Sequence, residues 1–445
     1  MGCETSPPRR GRGSFFGSAV AIHGNAAIVG AYGDDEHGYF SGAAYVFEQR
    51  DKEQSEEWIE RAALVPSDGA PYLVFGASAA IYGDIAVVGA PSVSGSERSG
   101  AVYVFVRNDG ESWTEEAKFT AGDDAVNGDD FGLSLGIYDD TVVVGAAGLS
   151  RCYVFVRIVH DGGPTSTWKK EVTLVAADGN GEDDRFGWSV GIHDNTVVVG
   201  ADLDDGNGST RGLAYIFVRE EATSVWRHFA KLLPSDGIFH DRFGYSVAIY
   251  DDIAVVGAIN SFEKGGADHD SVSAFVYTRD RESGSWTQQA IPPTTDGTKY
   301  YNSRCEVAVY NNTVIVGSSN HRNNGAVLLF TRVTENGTWS EQPPLLPIDQ
   351  ADDANFGVNV GVYGNTVIVG ANHDDINGEK SGSVYLYSLS RSTLSPRGNN
   401  GLHAFDDVEL DTVSSKNYNN SYHGASNIEN VDDKIDFSPI DHNQI

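Results

Sequence analysis

The sequence predicts an all-β fold, a seven-bladed β-propeller of four-stranded antiparallel blades, on three observations. An aromatic-glycine pair recurs at near-constant spacing. Each copy carries the same short apolar segments, with no helical period between them. The inner segments are apolar on both faces, so no copy can bury its own surface alone. The pairs are Phe16-Gly17, Phe75-Gly76, Phe131-Gly132, Phe186-Gly187, Phe243-Gly244 and Phe356-Gly357, with Asn302-Ser303 a degenerate copy in the one gap. Their spacings of 59, 56, 55, 57, 59 and 54 residues define seven units over residues 14–392.

Every unit reads in the same order. A first segment, such as Tyr245-Ser246-Val247-Ala248-Ile249, runs to a two-residue break. The breaks are Gly24-Asn25, Gly83-Asp84, Asp139-Asp140, Asp194-Asn195, Asp251-Asp252, Asn311-Asn312 and Gly364-Asn365. These residue types tolerate the positive φ that a type I′ hairpin turn needs at both central positions. A second run follows, such as Thr141-Val142-Val143-Val144-Gly145-Ala146, then a polar loop and a third run such as Ala101-Val102-Tyr103-Val104-Phe105-Val106. A fourth segment is led by Trp58, Trp113, Trp168, Trp226, Trp286 or Trp339 and alternates in part. Continuous apolar runs mark strands buried on both faces, and alternation marks a half-exposed strand. Radial stacking of such units is a propeller. The seventh unit has no Trp-led fourth segment, so either Leu402 to Leu410 supplies that strand, the last blade has three, or the chain starts inside a longer parent. Residues 1–13 and the polar tail 393–445 read as mostly disordered.

Composition narrows the function. With 31 Lys+Arg against 63 Asp+Glu, the net charge is −32, which opposes nucleic-acid binding. No run of about 20 apolar residues exists to span a membrane as a helix. Three scattered cysteines (Cys3, Cys152, Cys305) do not make a disulfide scaffold.

The succession Phe-Gly-x-Ser-Val, Val-Val-Gly-Ala and Tyr-x-Phe resembles the FG-GAP repeat. That repeat builds the N-terminal propeller of integrin α chains and of many bacterial and algal surface proteins. The resemblance implies a seven-bladed propeller that recognises ligands on one face. Its calcium sites lie in the loop between the first and second strands, which here is only a tight turn. Two residues cannot supply the roughly six to eight oxygens that calcium takes. Those sites are therefore not carried over to Asp139, Asp140, Asp194, Asp251 or Asp252.

Acidic residues gather instead in the 2–3 and 4–1 loops, which share the opposite face, the one that the resemblance presents to ligands. The ligand-face candidates are Asp34, Asp35, Asp129, Asp130, Asp183, Asp184, Trp188, Asp352 and Asp353. Two loops offer the hard oxygens that Ca2+ prefers: Asp202, Asp204, Asp205 and Asn207, and Asn372, Asp374, Asp375 and Asn377. Neither loop fits the EF-hand pattern. No catalytic motif occurs, and His23 and His193 stand where other repeats have tyrosine, which marks them as structural. The expectation is a non-catalytic binding or adhesion module, extracellular or at a cell surface, that recognises a protein or glycan with help from calcium. The alternatives are an accessory or catalytic domain of a secreted carbohydrate- or lipid-active enzyme, and a cytosolic scaffold. The scaffold would be anchored through Gly2 and Cys3, since Met1-Gly2-Cys3-Glu4-Thr5-Ser6 matches the myristoylation pattern.

Overall fold

The architecture comes from a computed structural model, which describes residues 13–49, 58–92, 98–108, 112–159, 166–176, 184–204, 212–234, 242–259, 272–289, 304–319, 325–333, 337–347, 354–376, 378–389 and 410–413. These form seven four-stranded antiparallel sheets, each with its strands in chain order. Blade 1 comprises Ala19–His23, Ala26–Ala31, Ala43–Gln49 and Trp58–Leu64. The inner strands pack side by side around the axis, and that of blade 1 closes the ring against Phe356–Tyr363 of blade 7. Burial follows the predicted gradient: Ala26–Ala31 is buried throughout, whereas Trp58–Leu64 is mostly half-exposed or exposed.

Blade 7 is completed by Leu410–Val413, which pairs with Ser383–Leu389. Its outer strand therefore begins where the expected segment, Leu402 to Leu410, ends. Apart from these four residues, the tail assignment lies outside the described residues, as does that of residues 1–12.

The tight turns differ from expectation in one respect. Their first residues are left-handed in all seven blades, from Asp139 and Asn311 at φ 50° to Gly24 at 64°. None of the second residues has positive φ, so the type I′ geometry, with two such residues, is not the one adopted.

The repeated motif now has a physical reason. The Phe of each Phe-Gly pair is buried against the aromatic third strand of its blade, edge-on in blades 1 to 4 and 7 and tilted in blade 5. Phe186, fully buried, meets Tyr215 at 5.4 Å and Phe217 at 5.9 Å between centroids. The Gly that follows lies under the Val-Val-Gly-Ala strand of the preceding blade. A Cβ on Gly30, Gly89, Gly145, Gly200, Gly317 or Gly370 would run into the carbonyl oxygen of that next Gly. Glycine at both places lets two backbones approach where no side chain fits.

A polar clasp repeats at the outer rim. Glu116 of blade 2 accepts hydrogen bonds from Arg157 Nη2 at 2.7 Å and Trp168 Nε1 at 2.7 Å, and one from Ser166, all in blade 3. Glu171 of blade 3 does the same for Arg219 and Trp226 of blade 4. Burial alone would raise the Glu116 carboxyl, but the bonds from Ser166, Arg157 and Trp168 outweigh it and hold it below the ordinary value. The carboxylate thus contributes stability above its unfolded-state pKa, and that contribution is lost as pH falls through the lowered folded value. Glu116→Ala should cost about 2 kcal/mol at pH 7, since hydrogen bonds to charged groups are worth about 1.5–3 kcal/mol each and this site is partly solvated. Urea denaturation at pH 7 and pH 3 checks this: the difference from wild type should shrink at the lower pH.

Candidate ligand face at the axial mouth

The loop face is built where the 4–1 loops enter the inner strands. The residue before each intact Phe-Gly is left-handed, among them Asp130 (φ 51°), Arg185 (52°) and Arg242 (59°). The following Gly also has positive φ, 94° at Gly187 and 87° at Gly244. This double twist turns each loop into its strand and sets the residues on either side of Phe-Gly at the axial end of the face.

In blades 3 to 6 those residues assemble a charged aromatic cluster. The Arg185 guanidinium lies 4.9 Å from the centre of the Trp188 ring, and that of Arg242 lies 5.5 Å from the same ring. Arg242 also stands over Tyr245 at 5.1 Å, and Tyr245 is 5.9 Å from Trp188. Beneath them Asp202 is fully buried. Its Oδ2 accepts Arg242 Nε at 2.9 Å and lies 3.7 Å from Arg185 Nη1. Burial pushes the Asp202 carboxyl up, and the two arginines pull against that. Burial, then the neighbouring Asp129, raises Asp130 to about 6, with Arg185 opposing. In blade 6, burial lifts Glu306 to about 7, against the pull of Arg304.

The sequence candidates divide into three groups. Asp130, Trp188 and Asp202 belong to this cluster. Asp34, Asp204, Asp374 and Asp129 are buried loop anchors instead. Asp34 Oδ2 accepts Tyr45 Oη at 2.7 Å, Asp374 Oδ2 accepts Tyr385 Oη at 3.0 Å, and Asp204 accepts Tyr215 Oη. Asp374 Oδ1 takes the Ile376 N–H at 2.9 Å, and Asp129 Oδ1 takes the Gly100 N–H at 2.8 Å. Asp184 is buried and acts electrostatically on Tyr215, and Asp35 is exposed. The third group, Asp183, Asp205, Asn207, Asp352, Asp353 and Asn377, lies outside the described residues.

The donor set that is described does not fit calcium. Asp202 is bound to a guanidinium, Asp204 and Asp374 each hold a tyrosine, and Asn372 Oδ1 accepts Asn355 Nδ2 at 3.3 Å. Asp375 Oδ1 takes the Lys380 N–H at 2.6 Å. Among the described residues, no three His, Cys, Asp or Glu side chains converge as a metal group. Among the described residues, Asp34, Asp129, Asp204 and Asp374 anchor these loops. The signal was present in the sequence as an Asp followed eleven residues later by a strand-three Tyr, in blades 1, 4 and 7. Sequence reasoning also missed Arg185, Arg242, Arg304, Tyr245 and Glu306, whose signal is a charge or ring beside the repeated motif.

Such a ring of repeated four-stranded blades defines the protein as a β-propeller. The FG-GAP repeat model matches residues 11–47, 58–105, 113–155, 168–217, 226–277 and 339–387. The chain belongs to the FG-GAP repeat family. The unmatched stretch, 278–338, contains the start of blade 6, where the Phe-Gly pair is degenerate. No curated protein matches the chain. Among solved structures it is similar to a Bacteroides uniformis protein described as a 6-phosphogluconolactonase, at 12% identity and a TM-score of 0.47, covering 74% of this chain and 85% of that one. It is also similar to Saccharomyces cerevisiae Sqt1, at 11% identity and a TM-score of 0.45, covering 88% of this chain and 92% of that one. Among the described residues, no helix is long and apolar enough to cross a membrane.

Proposed function

We propose that the protein is a non-catalytic recognition module, working at or outside a cell surface, that engages a protein or glycan through this loop face. The observation that carries the reading is Trp188 held between Arg185 and Arg242 at the axial mouth. A flat aromatic beside two guanidinium groups suits a sugar ring or an aromatic side chain, with carboxylate or sulfate recognised by the arginines. Interface hot spots are enriched in Trp, Tyr and Arg. The surrounding acidic loops would then select against wholly anionic partners and leave one local positive centre.

An array of neutral, uronate-bearing and sulfated oligosaccharides, with a parallel panel of surface proteins, tests the reading. Trp188→Ala and Arg242→Ala should each weaken binding about tenfold or more, as hot-spot truncation does. If both variants bind like wild type, the mouth is not the site. The same protein should melt at one temperature in millimolar calcium and in chelator, because selective binding to the native state would raise it. A rise with calcium that magnesium does not reproduce would overturn the anchoring role given to Asp204 and Asp374.

A further inference from the structure

The mouth has a second wall. Two positions frame it in the intact repeats: the residue before Phe-Gly and the residue after the second strand. In blade 4 they carry Arg185 and Asp202, an ion pair, and in blade 7 Asn355 and Asn372, joined through their amides. In blade 1 they carry Phe15 and Tyr32, whose rings stack at 4.9 Å and 11°. Seven blades in ring order put blade 1 half a turn from the junction of blades 4 and 5. An aromatic wall therefore stands across the axis from the guanidinium groups of Arg185 and Arg242. Arg304 acts electrostatically on both Tyr32 and Tyr245, so its charge is within reach of both walls.

The aromatic wall continues outward over the loop face. Phe40 lies 6.3 Å from Phe15 and 6.5 Å from Tyr32, Tyr39 lies 4.9 Å from Phe40, and Tyr72 lies 5.4 Å from Tyr39. Tyr39 and Tyr72 are 56% and 46% exposed. The backbone holds this track in place: the Tyr72 N–H donates to Tyr39 O at 2.8 Å and the Val74 N–H to Phe40 O at 3.0 Å. Tyr72 is the outlier. Three residues before Phe-Gly, blades 1 and 3 have Gly13 and Gly128, with φ of 76° and 75°. Tyr72 takes the same left-handed turn at φ 61°. Stability alone favours glycine there, and bulky residues held in this region gather at binding sites.

The cationic wall has hydrogen-bonding capacity to spare. Arg242 holds Asp202 Oδ2 through Nε and Nη2. Arg185 Nη1 and Asp202 Oδ1, both buried, find no hydrogen-bond partner among the described residues. One is a donor and the other an acceptor, and a hydroxyl group is both. The amides of Asn355 and Asn372 bring further donors and acceptors to the mouth. A sugar offers hydroxyls on most of its carbons and C–H faces to aromatic rings, whereas a peptide offers far fewer hydroxyls in the same length. Arg185, Arg242 and Arg304 outnumber the neighbouring Asp202 and Asp130, and Glu306, held up at about 7 by burial, offsets only part of the difference. One anionic group is therefore favoured. A polyanion is opposed by the net charge of −32.

We infer that the track and the mouth together bind an oligosaccharide carrying one acidic sugar, with its neutral residues along Tyr72, Tyr39 and Phe40 and its carboxylate among Arg185, Arg242 and Arg304. The inference rests on the mouth being the recognition site. The probes are glucuronosyl-xylotriose, which has one carboxylate, and neutral xylotetraose, each titrated into the full chain by calorimetry, with an acidic tyrosine-containing peptide alongside. The acidic sugar should bind about tenfold or more tighter than xylotetraose, as a charge-assisted contact allows. Arg304→Gln should shrink that difference and leave xylotetraose binding unchanged. Tyr72→Gly, which installs the residue of the neighbouring blades, should weaken both sugars about tenfold, with thermal melting confirming that it is folded. Tyr39→Ala on the same track should do likewise, and it decides if Tyr72→Gly does not fold. Equal binding of the two sugars, full binding by the folded track variants, or no sugar binding would each overturn the inference. Binding of the peptide alone, weakened by Trp188→Ala, would also overturn it and leave the mouth as a site for protein. If Trp188→Ala weakens no binding at all, the reading of the mouth fails and this inference with it.

Discussion

Gly145→Ala is expected to destabilise the propeller by about 3 kcal/mol or more, at the upper end of what overpacking costs. Gly145 sits in the Val-Val-Gly-Ala strand of blade 3, and an added Cβ would run into the carbonyl oxygen of Gly187 in blade 4. That oxygen belongs to a backbone already held by left-handed twists at Arg185 and Gly187, so it has no rotamer by which to escape. Relief requires the two blades to part, and blades closed in a ring cannot part at one interface without disturbing others. Gly257→Ala supplies the comparison. It occupies the same place in blade 5, but its neighbour is the degenerate blade 6, and the nearest atom across the interface is Cys305 Sγ at 2.8 Å. A side chain can yield where a carbonyl cannot, so this variant should cost about 1 kcal/mol, the low end of overpacking. Guanidinium denaturation of the two variants measures both, and equal losses would show that the inter-blade carbonyl is not what requires glycine.

Glu306→Gln is expected to stabilise the protein above neutral pH, by up to about 3 kcal/mol. Glu306 occupies the inner-strand position held by serine in four other blades. Ser78 Oγ donates to Gly132 O at 2.6 Å, Ser134 Oγ to Gly187 O at 2.9 Å and Ser189 Oγ to Gly244 O at 2.8 Å, each in the next blade. Burial holds the Glu306 carboxyl up at about 7, against the pull of Arg304. Unfolded, it loses its proton near the usual value of about 4.3. Between those two values the native state binds more protons than the unfolded one, so stability falls as pH rises and levels off above about 7. Glutamine removes that slope. Chemical denaturation at pH 5 and pH 8 should therefore show a small difference from wild type at the lower pH and the full gain at the higher. A gain independent of pH would mean that the carboxyl is not raised.

The repeats made most of the fold legible. Phe-Gly and Val-Val-Gly-Ala appear in the sequence as spacing, and in the structure they are two halves of one backbone contact. The outer strand of blade 7 was not legible, because Leu410–Val413 lacks the Trp that marks its counterparts. Repetition hid the site for the opposite reason. An averaged unit draws attention to what every blade shares, and the acidic loops are shared. Arg185, Arg242 and Glu306 are departures at single positions, and their meaning depends on blades 3 to 6 meeting at the axis. Asp204 and Asp374 look like metal donors in the sequence because carboxylates cluster along the chain there. Their partners, Tyr215 and Tyr385, lie one strand further on, and the only trace in sequence is the eleven-residue spacing that Asp34 and Tyr45 share.

The closing seam bears on how the molecule is assembled. Blade 7 takes all four strands from the C-terminal part of the chain, so no sheet is shared between the two ends. The ring shuts through Ser14 Oγ donating to Ser381 O at 2.8 Å across 367 residues, and Phe16 bridges Gly382 as Phe75 bridges Gly42 within the continuous chain. The seam therefore uses the same contact as other junctions and differs only in the length of chain it encloses. Loop-closure entropy grows slowly with length, but this contact must wait for every intervening blade. A chain cut between two other blades and rejoined here would keep every interface and only move the seam to the new cut, which would enclose a similar length of chain. Such a circular permutant should reach the native ring with comparable stability and a final phase of comparable rate.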